Sequence, residues 1–167
     1  MPASPFDDPR LTAMGLLAEV NVGLGALLSP QLAEHGLSTV EFEVLVRLGR
    51  SPGGRLRMSD LAAQTSLSTS GVTRVVDRLE RDGLVHRETC PSDRRGFFAV
   101  LTPAGSQRLT DVLPGHLSLL ERWFTGLLDD ASLSALTDAL RVVRDAVRPD
   151  AVAGAAGPVP DASRVPA

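Results

Sequence analysis

The chain has 167 residues, with 17 basic and 20 acidic side chains, and a net charge of −3 at pH 7. A hydrophobic content of 43% is typical of a folded domain and excludes a wholly disordered chain. No unbroken apolar run approaches the roughly 20 residues that span a bilayer. The opening sequence MPASPFDDPR lacks the basic and apolar segments of a secretory signal, so we expect a cytoplasmic protein without a membrane partner.

The charge is unevenly distributed along the chain. Residues 55–110 contain nine arginines and six acidic residues, whereas the remainder carries an excess of acidic residues. Attraction to phosphate depends on the local field, so a locally basic region is compatible with an acidic total.

The first predicted helix begins at Asp8-Pro9, an N-cap followed by a proline in the first turn. Residues 1–8 are expected to be a flexible N-terminus. Ser29-Pro30 predicts the end of the helix at about residue 28, and a short helical turn can follow. Three glycines weaken the helix in isolation, which indicates that it depends on packing against a partner. Its apolar positions have near-helical spacing: Leu11, Met14, Leu17, Val20, Leu24 and Leu28.

The next segment carries the start of a second helix and of a short third one. Ser38 and Glu41 have the spacing of a capping box, and an apolar helical pattern follows them. Residues 51–54 read SPGG and predict a loop. Ser59 is expected to cap a short helix that ends at about Ala63, and residues 65–67 form the turn after it.

A fourth helix is predicted from Thr69 to about Asp82, with Ser68 as its N-cap and Gly83 as its stop. Its inward face has the spacing i, i+3, i+4, i+7 and consists of Val72, Val75, Val76 and Leu79. The outward positions are polar or basic: Thr69, Ser70, Thr73, Arg74, Asp77, Arg78 and Arg81.

Two short strands, Leu84 to Glu88 and Phe97 to Leu101, follow this helix. The segment TCPSDRRG between them is polar and contains proline and glycine, which predicts a hairpin loop. Helix, turn, helix and charged hairpin in this order are typical of a winged helix-turn-helix, here at about residues 38–102.

The C-terminal part is predicted to be helical. One helix starts at Thr102-Pro103 and runs to about Leu128, and Pro114-Gly115 should kink or break it. Residues 149–167 are expected to be a disordered tail. A last helix from about residue 130 to 148 carries a narrow apolar seam suited to packing on another helix: Leu133, Leu136, Leu140, Val143 and Val147.

The sequence resembles the multiple-antibiotic-resistance regulator (MarR) family. LSTSGVTRVVDRLERDGLVHR resembles the recognition helix and first wing strand of that family, and PSDRRGFFAVLTPAG resembles its wing and following helix. The resemblance implies a mainly α fold with a small β-hairpin wing, in which dimerisation helices at about 9–28 and 103–148 flank the winged helix-turn-helix. It thus predicts a single domain over residues 9–148.

The resemblance also implies a function. Family members are mostly homodimeric repressors of pseudo-palindromic operators, and many release DNA when a small, often aromatic or anionic, effector binds. We therefore expect double-stranded DNA, a second copy of the chain and a small-molecule effector as partners.

On this interpretation the fourth helix contacts the major groove and the hairpin contacts the minor groove. Arg74 or Arg78 could donate two hydrogen bonds to a guanine, and an arginine at the wing tip would favour the negative potential of the minor groove. We expect Arg94 to insert into the groove and Arg95 to orient the tip, although the two roles could be exchanged, and we expect Asp93 to pair with one of them. The predicted DNA-binding residues are Ser68, Thr69, Ser70, Thr73, Arg74, Arg78, Asp93, Arg94 and Arg95. The alternative for Arg74 and Arg78 is a solvated helix face paired with neighbouring acids.

An effector pocket could be lined by Phe42, His116 and Trp123, although each of these residues could instead be a core or interface residue. Arg55, Arg57 and Arg87 could touch the DNA backbone or lie in a solvated surface.

Other functional classes have less support from the sequence. Cys90, the single cysteine, could make the chain a redox-sensing regulator, although no second cysteine is present to resolve an oxidised thiol. A winged helix used only for protein contacts or dimerisation is a further alternative. No catalytic motif or metal-ligand spacing is present, so we expect neither an enzyme nor a cofactor.

Overall fold

A computed structural model describes residues 5–65, 67–90 and 93–152, with residues 5 and 93–95 described by backbone alone. The helices are Pro9–Glu34 (α1), Thr39–Gly49 (α2), Met58–Gln64 (α3), Thr69–Arg81 (α4), Pro103–Trp123 (α5) and Asp130–Val147 (α6). The strands are Arg55–Arg57 (β1), Val85–Cys90 (β2) and Asp93–Leu101 (β3). Single 3₁₀ turns lie at Pro5–Asp7, Pro52–Gly54, Thr125–Leu127 and Pro149–Val152.

The three strands form one antiparallel sheet in the order β1-β3-β2. The mainly helical fold with a small hairpin is thus confirmed. β1 has no counterpart among the predicted strands, because three residues are too few to show a strand pattern.

The hairpin is longer than its sequence pattern predicts. Residues 89–96 were expected to be loop, but β2 reaches Cys90 and β3 begins at Asp93, with an irregularity in register between Thr89 and Cys90. A hairpin that is exposed to solvent on both faces has polar side chains on both. Its sequence therefore lacks the alternation of apolar and polar residues by which a strand is recognised.

Several helix starts agree with the capping residues in the sequence. Ser38 Oγ accepts from the Glu41 amide and the Glu41 carboxylate accepts from the Ser38 amide, so the capping box is present. Ser68 and Thr102 cap α4 and α5 in the same manner. The expected cap at Ser59 is wrong, because α3 begins at Met58 after Arg57, which makes no side-chain cap bond.

Pro30, which was expected to end a helix, and Pro114, which was expected to kink or break one, both lie inside helices. α1 continues through Pro30 to Glu34, and α5 continues through Pro114. Each proline removes one backbone hydrogen bond, but tertiary contacts hold the helix beyond it. After Pro30, Leu32 is fully buried in the core and the Gln31 amide donates to the Val112 carbonyl of α5 at 3.1 Å.

The core lies beneath α4. Val72, Val75, Val76 and Leu79 are all buried, as their spacing predicts. They belong to one cluster, whose other members come from every neighbouring element: Leu32, Leu37, Val44, Leu45, Leu48, Leu56, Leu61, Leu84, Val85, Ala99, Leu109 and Val112. The inward face of α4 is therefore fixed, which also fixes the direction of its outward face.

α5 approaches the turn after α4 closely. A Cβ atom on Gly105 would lie 2.1 Å from the Leu84 carbonyl oxygen, so only glycine fits without displacement. Thr102 Oγ1 also donates to the Gly83 carbonyl at 2.7 Å. These contacts attach the C-terminal helices to the end of α4.

α1 and α6 expose many apolar side chains. α1 is long and apolar enough, with a mean hydropathy of 1.6, to cross a membrane by length and composition, although Glu19 and Asn21 lie near its middle. α6 buries none of its residues. The exposed apolar residues of these helices include Leu11, Met14, Leu17, Val20, Leu140, Val143 and Val147.

The predicted boundary of the C-terminal tail differs from the structure. Residues 149–152 form a 3₁₀ turn, and Ala151 is buried, with 6% of its surface exposed. The rest of the predicted tail and most of the predicted N-terminal segment lie outside the described residues.

Candidate nucleic-acid interface

The N-terminal half of α4 presents short hydroxyl side chains to solvent. Ser68, Thr69, Ser70 and Thr73 are all exposed. Ser68 Oγ accepts from the Gly71 amide at 3.1 Å, and Thr73 Oγ1 donates to the Thr69 carbonyl at 3.0 Å. The first turn is thus ordered, and the unpaired backbone amides at a helix start, together with these exposed hydroxyls, suit an incoming phosphate.

Arg74 and Arg78 lie in different environments. Arg74 is exposed and, within the described part of the chain, makes no ion pair or hydrogen bond. The Nε atom of Arg78 donates to Glu41 Oε1 at 2.7 Å and thereby joins α4 to α2. Arg74 is free to reach a ligand. Arg78 already has a structural partner, which is Glu41 on α2 and not one of the neighbouring acids that the sequence suggested.

The Glu41 carboxylate accepts hydrogen bonds on both oxygens. Arg78 donates to one oxygen, and the hydroxyl and amide of Ser38 donate to the other at 2.6 and 2.9 Å. Burial alone would raise the pKa of Glu41, but these hydrogen bonds outweigh it and hold the pKa below its ordinary value. Glu41 is therefore ionised at neutral pH and fixes Arg78.

A second arginine joins the hairpin to α4. Arg87 on β2, with 22% of its side chain exposed, donates to Asp77 Oδ1 at 2.7 Å and to Glu80 Oε2 at 2.6 Å. Its amide also donates to Glu80 Oε1 at 3.0 Å. This arrangement neutralises both acids near the outward face of α4, which would otherwise repel phosphate, and it fixes the hairpin relative to the helix.

A cleft of about 550 Å³ separates α4 from the hairpin. It is lined by Arg57, Met58, Ser59, Thr73, Asp77, Arg87, Gly96 and Phe97. On the β1 side, the guanidinium of Arg55 lies 4.2 Å from the centre of the Phe98 ring and pairs with Glu88 at 3.4 Å. Arg55 and Arg87 thus both have partners in the sheet and helix.

The structure describes the hairpin tip only in part. The backbone of Asp93, Arg94 and Arg95 lies at the start of β3, at the end of the hairpin farthest from α5. These residues stay a prediction as minor-groove contacts, because their side chains lie outside the description.

Cys90 lies at the end of β2 and is buried, with 4% of its surface exposed. A buried thiol is poorly accessible to an oxidant, which disfavours the redox-sensing alternative. Among the described residues, no three His, Cys, Asp or Glu side chains are placed to hold a metal ion.

Two of the three residues predicted to line a pocket lie together. The rings of Phe42 and His116 are 4.5 Å apart, and both line a cavity of about 350 Å³ between α1, α2 and α5. Trp123 does not line this cavity; it lies at the end of α5, 42% exposed, with the Arg122 guanidinium 4.8 Å from its ring.

The structural roles of Arg87 and Glu41 were not predicted from the sequence. Asp77 and Glu80 are three residues apart and therefore share one side of α4, and the strand carrying Arg87 follows almost at once. That local pattern could have indicated the contact. The pairing of Glu41 with Arg78, 37 residues away, has no comparable signal.

Comparisons with known proteins agree with this architecture. The model of the MarR family matches residues 35–96. The transcriptional regulator YkoM of Bacillus subtilis is 36% identical over 97 residues, which cover 58% of this chain and 62% of YkoM. The chain thus spans about three fifths of that relative's length.

Two solved structures from Streptomyces coelicolor cover more of the chain. The MarR family regulator AbsC is 38% identical with a TM-score of 0.79, over 88% of this chain and 99% of AbsC. Sco3205, a MarR family regulator crystallised in complex with DNA, is 31% identical with a TM-score of 0.79, over 89% of this chain and 94% of Sco3205. With this identity across nearly the whole of both regulators, the chain belongs to the MarR family of winged-helix transcription regulators.

Proposed function

We propose that the protein is a homodimeric, sequence-specific DNA-binding transcription repressor that releases its operator when a small molecule binds. The observation that carries this proposal is the outward face of α4. Its hydroxyls and Arg74 are exposed, its acids Asp77 and Glu80 are paired by Arg87, and the hairpin lies beside it. The similar regulator Sco3205 was crystallised with DNA, which supports the same use here.

The two parts of the interface would have different tasks. Arg74, with no partner in the described residues, suits a bidentate contact to guanine in the major groove. Arg94 or Arg95 at the hairpin tip suits the minor groove. Arg78 would act mainly through its ion pair with Glu41, by holding α4 in place.

Dimerisation would cover the apolar surfaces of α1 and α6. Side chains such as Leu17, Val20 and Val143 are about half exposed in the single chain. So many exposed apolar side chains on two helices are unusual on a soluble monomer and support an interaction site there. A second copy supplies the same surface and explains why both terminal helices carry it.

The cavity between α1, α2 and α5 has a defined hydrogen-bonding character. The Gln31 amide group donates to the Val112 carbonyl, so its Oε1 atom faces His116 Nδ1 at 3.3 Å. His116 Nδ1 must therefore carry the proton, and Nε2 is left as an acceptor. Among the described residues, no fully buried side-chain nitrogen lacks a partner, so Nε2 is accessible to solvent, and His116 lines the cavity.

Burial lowers the pKa of His116, which keeps the ring neutral at physiological pH. Arg47 and Arg50 lie at the same cavity. We infer that the effector presents an apolar ring against Phe42, a hydrogen-bond donor to His116 and an anionic group near the arginines.

The Arg74→Ala variant should bind DNA more weakly. It should lose roughly 1–3 kcal/mol of affinity for a duplex selected from a random library by the wild-type chain, and much less for unrelated DNA. Fluorescence anisotropy at several salt concentrations measures both. Arg141→Ala, which removes an exposed ion pair on α6, is the matched control. Equal affinities of Arg74→Ala and wild type for the selected duplex would contradict the proposed role of Arg74.

The Leu17→Glu variant should dissociate the dimer. A charge placed in an apolar interface costs several kcal/mol when it has no partner. Light scattering should give twice the chain mass for wild type and a single chain mass, or a mixture, for the variant. Glu19→Gln, a neighbouring change without an added charge, serves as the control. A wild-type chain that is monomeric at micromolar concentration, or that partitions into vesicles, would overturn this part of the proposal.

His116 should make the stability of the protein fall in mild acid. Its pKa in the folded state lies below the unfolded value of 6.5, so below that pH the unfolded chain binds a proton that the folded chain does not. The contribution of neutral His116 to the free energy of unfolding is present above pH 6.5 and is lost as the pH falls through the folded-state pKa. Urea unfolding at pH 7.5 and 5.5 should show a larger loss for wild type than for His116→Gln. His86→Gln, a change on the hairpin surface, should lose as much stability between the two pH values as wild type does. If His116→Gln also loses as much as wild type, His116 is not the cause of the acid sensitivity.

Effector binding and DNA binding should be reciprocally coupled. A panel of hydroxybenzoates supplies the ring, donor and anion that the cavity chemistry favours. A compound that binds should raise the melting temperature of the protein and weaken its affinity for DNA. Bound DNA should weaken the affinity for the compound by the same factor. His116→Gln should reduce ligand affinity about tenfold through loss of the acceptor geometry, whereas Trp123→Leu should not. Stabilising ligands that leave DNA affinity unchanged would argue against release by this cavity.

A further inference from the structure

The C-terminal segment, residues 148–152, packs against α3 of the same chain. α6 itself buries no residue, yet directly after its end Ala151 is buried and the 3₁₀ turn Pro149–Val152 contacts α3. The chain thus leaves a solvent-exposed helix and returns to the helix-turn-helix at one defined place.

Arg148 makes the polar part of this contact. Its Nη2 atom donates to the Ala63 carbonyl at 2.8 Å and to the Thr65 carbonyl at 2.5 Å. The last carbonyls of a helix lack partners within it and carry the negative end of its dipole, so a guanidinium is well suited to this position. α3 has only seven residues and needs such outside contacts to be stable.

The carbonyls that Arg148 binds lie at the entrance to α4. Thr65 is the C-cap of α3, and Ser68, three residues later, is the N-cap of α4. Thr65 is fully buried and its hydroxyl donates to the Leu61 carbonyl at 2.8 Å, so the turn is ordered on the α3 side. Arg148 therefore binds the end of the turn that leads into α4, the helix whose outward face we assign to DNA.

We propose that Arg148 is a positioning residue that fixes the direction of α4 relative to the dimerisation helix α6. This proposal rests on the proposed function. Because α6 has few other contacts with the described residues of its own chain, the C-terminal segment is its main attachment to the helix-turn-helix. In a dimer held together by α6, the same attachment sets the angle and the distance between the two copies of α4.

The first experiment tests the attachment without DNA. Arg148→Met keeps the aliphatic length but removes every donor, and Arg148→Lys restores a cation. Hydrogen exchange of the amides in α3 and of the first turn of α4 should accelerate at least tenfold in Arg148→Met and partly recover in Arg148→Lys. Arg144→Met, which removes an exposed pair with Asp145 on the same helix, should exchange like wild type. Unchanged exchange in Arg148→Met would overturn the attachment.

A pair of truncated chains provides a second, matched comparison. The chain ending at Val152 keeps the C-terminal segment, and the chain ending at Val147 lacks it. Both should remain dimers by light scattering. Only the shorter chain should show the exchange pattern of Arg148→Met, and equal patterns in the two chains would contradict the proposal.

The second experiment tests orientation. A base pair inserted at the centre of the selected duplex moves its half-sites apart by about 3.4 Å and turns them by roughly 36°. We expect this insertion to weaken wild-type binding at least tenfold, and to weaken Arg148→Met only about twofold, because its α4 helices are less firmly oriented. If Arg148→Met binds both the selected duplex and the lengthened duplex more weakly than wild type by the same factor, the substitution has only reduced stability. That result would overturn the positioning role.

These outcomes separate this inference from the proposed function. If the wild-type chain selects no duplex, the proposed function fails, and the positioning role for DNA fails with it. If the wild type selects a duplex and Arg148→Met discriminates spacing as strongly as wild type does, the proposed function stands and only the role of Arg148 is refuted.

Discussion

Burial of one face of α4 is the constraint on which the rest of this structure depends. Val72, Val76 and Leu79 are almost completely enclosed by α2, α3 and the sheet. A helix buried along i, i+3, i+4 and i+7 cannot rotate without exposing these side chains, at roughly 1.5–3 kcal/mol for each one fully exposed. The buried face consequently fixes the orientation of the polar face of α4 toward solvent. A surface that contacts DNA bases needs such a fixed orientation.

Ion pairs join α4 to its neighbours on both sides. Glu41 holds Arg78 from α2, and Arg87 holds Asp77 and Glu80 from the hairpin. Partly exposed pairs of this kind contribute modestly to stability, so their main effect is electrostatic. They neutralise the acids near the outward face and leave Arg74 to act as a cation, which reconciles a net charge of −3 with attraction to phosphate.

Local signals were sufficient to predict much of the fold. The caps Ser38, Ser68 and Thr102 and the four buried residues of α4 follow from side-chain chemistry within one or two turns, and the structure agrees with each. Expectations were wrong where a distant contact outweighed a local preference. Pro30 was expected to end α1, but Leu32 in the core and the bond from Gln31 to Val112 continue the helix beyond it.

The candidate site shows the same division. The exposure of Thr73 and Arg74 could be predicted from helical spacing, because it needs only the knowledge of which face is apolar. The partner of Arg78 could not, because it lies on another helix 37 residues away. The contact of Arg148 with Ala63 spans 85 residues and forms at the end of α6, directly before a segment whose composition predicts disorder. Single-sequence patterns carry no information about such pairs.

The placement of the terminal helices suggests how a dimer and a reading surface could depend on each other. α1 packs against α5 and contributes Leu32 to the core, while most of its apolar side chains stay exposed. The cavity beside Phe42 and His116 lies where α1, α2 and α5 meet. A molecule bound there would contact α1, α5 and also α2, the helix whose Glu41 pairs with Arg78. A ligand that separates α1 from α2 would therefore act on α4 through Glu41, whereas α6 acts on it through Arg148. The two routes reach opposite ends of α4, which makes the angle of that helix the quantity that both can change.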